Sequence, residues 1–433
     1  MAQSLLAIEG GPKAVTAPVG DGWENIGPLE KSYVNEVLDD PNTARRHLEL
    51  FESGFSKLVK TQHAICTCNG TAALHSAIFA AGAGVGKEVI VPSVTWHATI
   101  SPILHCGATP VFCEVDPNTF CADPEDVKQR ITDRTCAIVV THVYGNPADM
   151  DGLLDLIAGT DIKLIEDASH AHGALWDGKP VGSIGHIGCF SLQGSKPVTG
   201  LEAGVVVTDD DDLYDQMMAL GQYGRCGGSW KTDRFTGLHN MGLGVKYRAN
   251  PFGIAMARGR LERLSELNEK RRKWFAQMDE LLENVEGIET QKAYPKATRG
   301  GLLLYAGLVD PEAYGVPVSK VLEALVAEGV RTKPEITPYG YGVMHLESLF
   351  NDFSFEGLGG PWGYLPDNAR KSYRPGSLPI SERIHSTCFW LSTPVDPDPI
   401  WVEQTAEAFQ KVYDNRSRLS ELTDDTVCQR TLA

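Results

Sequence analysis

Four short segments hold residues suited to chemistry, and each follows an apolar, strand-like run. Cys68-Asn-Gly-Thr-Ala-Ala-Leu74 passes from a strand end through a glycine turn into a helix. Gly70 lets backbone approach an anion, and the N–H groups of Thr71 and Ala72 would face it from the helix start. The same residues also suit a plain turn capped by Asn69 or Thr71. Val91-Pro-Ser-Val-Thr-Trp96 sets an indole past a second strand, where it can stack on a flat ring or serve as core. Lys163-Leu-Ile-Glu-Asp-Ala-Ser-His170 ends an apolar strand in two carboxylates, which are costly to bury without partners. A protonated ring nitrogen would partner Asp167; capping of the next turn is the alternative. Cys189-Phe-Ser-Leu-Gln-Gly-Ser-Lys196 puts a lysine in a Gly/Ser-rich loop between apolar runs. Desolvation turns such a lysine into an amine nucleophile able to form a Schiff base, although a solvated surface lysine is the commoner use. An amine for an aldehyde, a carboxylate for a pyridine nitrogen, an anion cradle and an aromatic cover are together what pyridoxal 5'-phosphate requires.

The elements that must position these residues alternate between strand-like and helix-like from residue 61 to about 222. Strands are expected at Ala64–Cys68, Glu88–Val91, Thr109–Val115, Cys136–Val143, Lys163–Ile165 and Gly204–Thr208. They are short, rich in Val and Ile, and not cleanly alternating, as suits strands buried on both faces. Helices are expected at Thr71–Ala83 and Asp149–Ala158. Repeated βα units imply an α/β fold with a mostly parallel central sheet, helices on both faces, and ligands at the strands' carboxyl ends. From about residue 251 the apolar residues Leu261, Leu264, Leu267, Trp274, Met278, Leu281 and Val285 recur at helical spacing. One long helix there would connect a large domain, residues 1–250, to a smaller α+β domain, residues 251–433. The second part should hold strands at Leu302–Val309, Val330–Lys333 and Cys388–Leu391, and helices at Ser319–Glu328 and Trp401–Tyr413. An aromatic loop spans Gly357–Pro366, and Leu419–Ala433 reads as a frayed tail.

The 433 residues include 39 Lys+Arg against 56 Asp+Glu, a formal charge of −17. Nucleic acid and anionic membranes need a concentrated basic face, so neither is expected as a partner. No apolar run approaches the roughly 20 residues that span a bilayer. The start Met1-Ala-Gln-Ser-Leu-Leu lacks the basic region of a signal peptide, so a cytoplasmic location with reduced thiols is expected for the 10 Cys. Cys66-Thr-Cys68 is C-x-C with no second cluster, so no metal site is expected.

The chain resembles the DegT/DnrJ/StrS family of sugar and cyclitol aminotransferases, pyridoxal-phosphate enzymes of fold type I in the aspartate aminotransferase superfamily. Leu6-Ala-Ile-Glu-Gly-Gly11, Asn69-Gly-Thr71, Pro92-Ser-Val-Thr-Trp96 and Thr109-Pro-Val-Phe-Cys-Glu-Val-Asp116 carry the likeness. His142-Val-Tyr-Gly145, Glu166-Asp-Ala-Ser-His-Ala-His-Gly173 and Ser191-x4-Lys196 extend it over most of the chain. The resemblance implies that Lys196 forms the Schiff base and moves the proton, while Asp167 keeps the pyridine nitrogen protonated. It further implies that His170 lies near the ring hydroxyl, Trp96 stacks on the ring, and Gly70, Thr71 and Ser191 hold the phosphate. Two departures stand out. The family's Gly-Glu-Gly-Gly after the lysine loop is replaced by Gly200-Leu-Glu-Ala-Gly204, and an Asn two residues before an Arg by Lys246-Tyr-Arg248.

The resemblance implies ping-pong transfer of an amino group from glutamate or glutamine to a keto-sugar or keto-cyclitol, as in antibiotic biosynthesis. It also implies a homodimer with shared active sites, Lys246 or Arg248 reaching across. Leu6–Gly11, Thr95-Trp96, Gly315-Val-Pro317 and Gly360-Pro-Trp-Gly-Tyr364 lean toward the cyclitol branch. Two other readings stand beside it. A Rossmann dehydrogenase fits the α/β alternation, but G-x-G-x-x-G is missing after the first strand. A pyridoxal-phosphate protein with lyase, elimination or carbon–carbon chemistry, or a regulator, would accommodate the altered glycine loop and Lys246.

Overall fold

The computed structural model describes residues 5–20, 26–226, 230–239, 241–333, 343–351 and 370–421. The aromatic loop at 357–366 and the tail from 422 onward lie outside the described residues. Short apolar runs become the strands β1 (His63–Thr67), β2 (Glu88–Pro92), β3 (Thr109–Cys113), β4 (Thr135–Thr141) and β5 (Lys163–Asp167). A small hairpin, β6 (Leu175–Trp176) and β7 (Lys179–Pro180), precedes β8 (Ile187–Ser191) and β9 (Gly204–Thr208). Seven of these form one sheet in the order β1-β9-β8-β5-β4-β2-β3. β8, β5, β4, β2 and β3 pair in parallel, and β9 runs antiparallel to both β8 and β1. The strands that precede Gly70, Trp96, Asp167's loop and Lys196 therefore all end on one edge of the sheet. That edge is where open α/β sheets bind ligands.

Helices cover the sheet: α1 (Pro28–Asp39), α2 (Thr43–Val59), α3 (Gly70–Ala80), α4 (His97–His105), α5 (Pro124–Arg130), α6 (Met150–Ile157) and α7 (Asp211–Gly221). Buried α3 residues Ala73, Leu74, Ala77 and Ile78 pack with Ile65, Val89 and Val206 of the sheet. The second face is closed by α2, whose Phe51 and Phe55 meet Phe190 and Val205.

The long amphipathic pattern is α8, Pro251–Leu282, 32 residues and about 48 Å long at 1.5 Å per residue. Pro251 occupies its first turn, and Asn250 caps it by accepting from the Phe252 amide. Its first half, with Ile254, Ala257 and Leu264, belongs to the α2 core. Its second half, with Trp274, Phe275, Met278 and Leu282, belongs to a separate core built from the C-terminal elements. Those elements include a three-stranded antiparallel sheet of β10 (Ile288–Thr290), β12 (Tyr305–Val309) and β13 (Cys388–Leu391), in the order β10-β12-β13. β11 (Ala297–Thr298) instead pairs with β6, tying this half of the chain to the first. Leu6, Ile8 and Val15 of the N-terminal segment also sit in the C-terminal core.

The sequence expectation of a strand at Val330–Lys333 fails. Within it one backbone bond, Ser392 N–H to Arg331 O at 3.0 Å, reaches β13's continuation, too little to make a ladder. β6, β7, β10 and β11 were not anticipated as strands; each has only two or three residues, too few for a periodic signal. The nine described cysteines are all free thiols.

Candidate active site

The sheet's carboxyl edge opens into a cavity of about 640 Å³ whose wall includes Gly70, Thr71, Trp96, Asp167, His170, Ser191 and Lys196. Seven of the anticipated residues thus meet in one space, though they span more than a hundred positions of sequence. The Thr71 side begins where β1 turns into α3. A Cβ added to Gly70 would lie 2.7 Å from the Ser191 Cβ, so only glycine lets the start of α3 touch the end of β8. Ala72 departs from expectation. Its N–H donates to Asn69 Oδ1 at 2.8 Å, the ordinary cap, and it is not on the cavity wall. Its amide is already satisfied, which leaves Gly70 and Thr71 as the α3 residues facing an anion.

Asp167 is the last residue of β5 and is almost fully buried. Its Oδ2 accepts from Thr99 Oγ1 at 2.7 Å and its Oδ1 from the Ser169 amide at 3.2 Å. The neighbouring Glu166 points to the other side of the strand and is fully satisfied. It accepts from the Gly182, Ile184 and Gly185 amides at 2.6–2.7 Å and from His142 Nε2 at 3.0 Å. The two carboxylates have separate tasks: Glu166 fixes the turn before β8, while Asp167 faces the cavity.

Lys196 sits in the turn after β8, its amide donating to Gln193 O at 2.8 Å. Burial pushes its ammonium down from 10.5 to about 8, with the Asp167 charge opposing the shift. An amine that loses its proton this readily can act as nucleophile and base near neutral pH. His170 is held neutral by burial and by the nearby Lys196 and His172. Its Nδ1 accepts from the Tyr144 amide at 3.3 Å, so Nε2 carries the proton, and the Tyr144 ring stacks beside it. From behind, α8 steadies this turn: Asn268 donates to His172 O at 2.8 Å and accepts from the Gly301 amide at 3.0 Å.

Lys246 and Arg248 are not part of this cavity. Both are exposed; Lys246 makes an isolated bridge to Gln222, and the Arg248 guanidinium lies over the Tyr223 ring at 5.7 Å. The altered glycine loop keeps a turn shape despite its substitution. Leu201 adopts φ +63, the left-handed conformation that glycine takes more cheaply, with its side chain 59% exposed.

The far wall was missed by sequence reasoning. Arg331, Trp390, Ser392 and Thr393 close the cavity from the C-terminal half, with Val19 and Gly20 from the N-terminal segment. Arg331 makes no ion pair among the described residues. Its position depends on the packing of the two halves, which leaves no local sequence signal.

The residues present fit pyridoxal phosphate: a desolvated amine and a buried carboxylate share one cavity with an indole, a neutral imidazole and a helix start beside Ser191. Residues 24–352 match the DegT/DnrJ/EryC1/StrS aminotransferase family. An L-glutamine:scyllo-inosose aminotransferase of Streptomyces griseus is 33% identical over 438 residues, covering 96% of this chain and 99% of its own. An L-glutamine:2-deoxy-scyllo-inosose aminotransferase of Streptomyces kanamyceticus is 34% identical, covering 87% of this chain and 88% of its own. The crystal structure of 3-amino-5-hydroxybenzoic acid synthase superposes with a TM-score of 0.78 at 27% identity, covering 93% of this chain and 100% of that one. With sheet order, cavity and sequence in agreement, the chain belongs to the DegT/DnrJ/EryC1/StrS family, pyridoxal-phosphate-dependent aminotransferases of fold type I.

Proposed function

We propose that this aminotransferase takes its amino group from glutamine and delivers it to the ketone of a cyclitol of the scyllo-inosose type. The observation that carries the reading is Lys196 and Asp167 opposed in one cavity whose remaining wall is rich in hydroxyls and holds one guanidinium, Arg331. The near full-length similarity to glutamine:inosose enzymes supports the choice of both substrates. Within this reading Asp167 holds the ring nitrogen, His170 lies beside the ring hydroxyl, and Trp96 covers the ring. Gly70, Thr71 and Ser191 bind the phosphate, while Arg331 pairs with the donor's carboxylate as only a guanidinium can, through two parallel hydrogen bonds. Bound pyridoxal phosphate supplies an aldehyde for the donor nitrogen and an electron sink for charge left on the donor's α-carbon. Lys196 Nζ, unprotonated in useful amounts near pH 8, would take the α-proton and deliver it to the cofactor carbon that bore the aldehyde, and would carry a proton the opposite way for the acceptor.

The same reading makes the enzyme a cytoplasmic homodimer. Among the described residues no helix is long and apolar enough to cross a membrane. A Cβ on Gly200 would meet Gly253 O at 2.7 Å, so the loop after Lys196 packs against the start of α8, and Leu201 and Phe252, next to these glycines in sequence, are both exposed. Met241 and Leu243 are exposed as well, a few residues before the exposed Lys246 and Arg248, which would reach the neighbouring subunit's phosphate. We divide the chain into a cofactor unit, residues 1–250, and a second unit, residues 251–433, with α8 spanning both cores. The test gives purified holoenzyme glutamine with scyllo-inosose or with nucleotide keto-sugars. Turnover on scyllo-inosose is expected; turnover confined to nucleotide sugars overturns the acceptor assignment. Mixing inactive Lys196→Ala and Arg248→Ala subunits should restore about a quarter of wild-type activity if sites are shared across a two-fold dimer.

A further inference from the structure

Beside Asp167 runs a chain of three threonine hydroxyls that the chemistry above leaves unused; Thr95 and Thr141 also line the cavity, and Thr99 does not. Thr141 Oγ1 is 2.7 Å from Thr95 Oγ1, Thr95 Oγ1 is 2.8 Å from Thr99 Oγ1, and Thr99 Oγ1 is 2.7 Å from Asp167 Oδ2. All three threonines are buried. They come from the loop after β2, from α4 and from the end of β4, so tertiary structure rather than local sequence assembles them.

Each hydroxyl has one proton, and that fixes the direction of the chain. An ionised carboxylate only accepts, so Thr99 must spend its proton on Asp167. Thr95 is then the donor to Thr99, and Thr141 the donor to Thr95. Three dipoles point the same way, toward Oδ2, and hydrogen bonds in series polarise one another. A proton placed on Oδ2 itself would compete with the bond from Thr99. Of the other ionisable groups around Asp167, only the Lys196 ammonium attracts its charge, and none replaces the hydrogen bond to Oδ2. Lys196 faces it across the cavity, Glu166 is bound by its own amides and His142, and Cys189 on the adjoining strand is a neutral thiol raised far above its usual range by burial. Thr99 is not on the cavity wall, so it acts on a bound ring only through Asp167.

We infer that Thr99, oriented by Thr95 and Thr141, is a positioning residue that, by donating to Asp167 Oδ2, fixes that carboxylate as the acceptor for the cofactor's ring nitrogen and so helps hold the proton on that nitrogen. Without the Thr99 proton the carboxylate becomes the better base. The proton then moves from ring nitrogen to Oδ2 and the electron sink weakens. The inference rests on the proposed contact between Asp167 and that nitrogen.

The experiment reconstitutes the enzyme with pyridoxal phosphate carrying ¹⁵N in the ring, and reads the ring-nitrogen NMR shift beside the glutamine half-reaction. Wild type and Thr99→Ser should both give the protonated, pyridinium-like shift. Thr99→Val should move toward neutral pyridine and slow the half-reaction roughly 10- to 100-fold, the loss expected for one hydrogen bond to a charged group. The glutamine concentration for half-saturation should change less than about threefold. Thr95→Val, one link further off, should move the signal in the same direction by less. A wild-type shift in Thr95→Val overturns the directed chain, even where Thr99→Val does not fold. A shift in Asp167→Asn with none in either valine variant overturns the inference alone, whereas an unmoved shift in Asp167→Asn removes the Asp167 contact and the inference with it.

Discussion

Lys196 shows how a single desolvated group makes stability depend on pH. Its amine gives up the proton near pH 8 in the folded chain and near 10.5 when exposed. Between those values the unfolded state holds one proton more, so this group's contribution to stability rises with pH across the window. Below pH 8 both states are protonated and the burial penalty is constant. Lys196→Met carries no proton and should lack the rise. In cofactor-free protein, the unfolding free energy of wild type relative to Lys196→Met should climb on the order of 1–3 kcal/mol between pH 8 and 10.5. Parallel stability curves for the two proteins would contradict a desolvated amine. Arg331 acts at the same scale but on binding. Arg331→Gln removes a bidentate partner for the donor's carboxylate and should raise the KM for glutamine on the order of 10-fold or more. The acceptor half-reaction, measured from the amino form of the enzyme, should change little. Equal losses in both halves would assign Arg331 to the shared chemistry instead.

At the scale of elements, the β1–α3 turn meets the end of β8 through Gly70. Gly70→Ala forces a Cβ to within 2.7 Å of Ser191, and the start of α3 or the end of β8 must yield. A loss of about 1–3 kcal/mol of stability is expected, as for other overpacked contacts. Cofactor affinity should fall as well, because Gly70, Thr71 and Ser191 lie together on the cavity wall. Fluorescence titration with pyridoxal phosphate beside thermal unfolding separates these effects, and wild-type values in both would refute the close approach. The same strand ends explain what the sequence made legible. Asp167 and Ser191 end buried strands and Lys196 follows one, and a parallel sheet brings every such end to one edge whatever the loop lengths. Thr95, Thr99 and Thr141 could not be read, since threonine in or beside a strand is ordinary and their hydroxyls meet only after α4 packs. Ala72 was misread because Asn69 could either cap the helix or leave its amides to an anion, and the structure has the cap. Val330–Lys333, just past the helix stop at Gly329, was expected as a strand, but it gives β13's continuation one backbone bond, from Ser392 N–H to Arg331 O.

At the scale of the whole molecule, the N-terminal segment joins both halves. Glu328, fully buried at the end of the helix Val318–Ala327, accepts from the Ala7 amide at 2.8 Å and the Ala14 amide at 2.9 Å. Lys411 from the helix Pro399–Asp414 completes the cluster at 2.8 Å. Leu6, Ile8 and Val15 are thereby pressed into the C-terminal core. Five residues beyond Val15, Gly20 packs against Asp396 and lines the cavity with Val19. One carboxylate therefore anchors a segment that forms part of the active-site wall. Glu328→Ala leaves two amides without their acceptor and the Lys411 ammonium with only the Pro12 carbonyl, and breaking a buried pair in this way costs about 3–5 kcal/mol. The midpoint of urea unfolding should fall accordingly, whereas Glu328→Gln, which keeps one acceptor oxygen, should lose less. Because Val19 and Gly20 share the wall with Arg331, Glu328→Ala should also raise KM for substrate at temperatures where the protein remains folded. Weaker unfolding with unchanged KM would limit the segment to a structural clasp; an unchanged midpoint would mean that Glu328 does not anchor it.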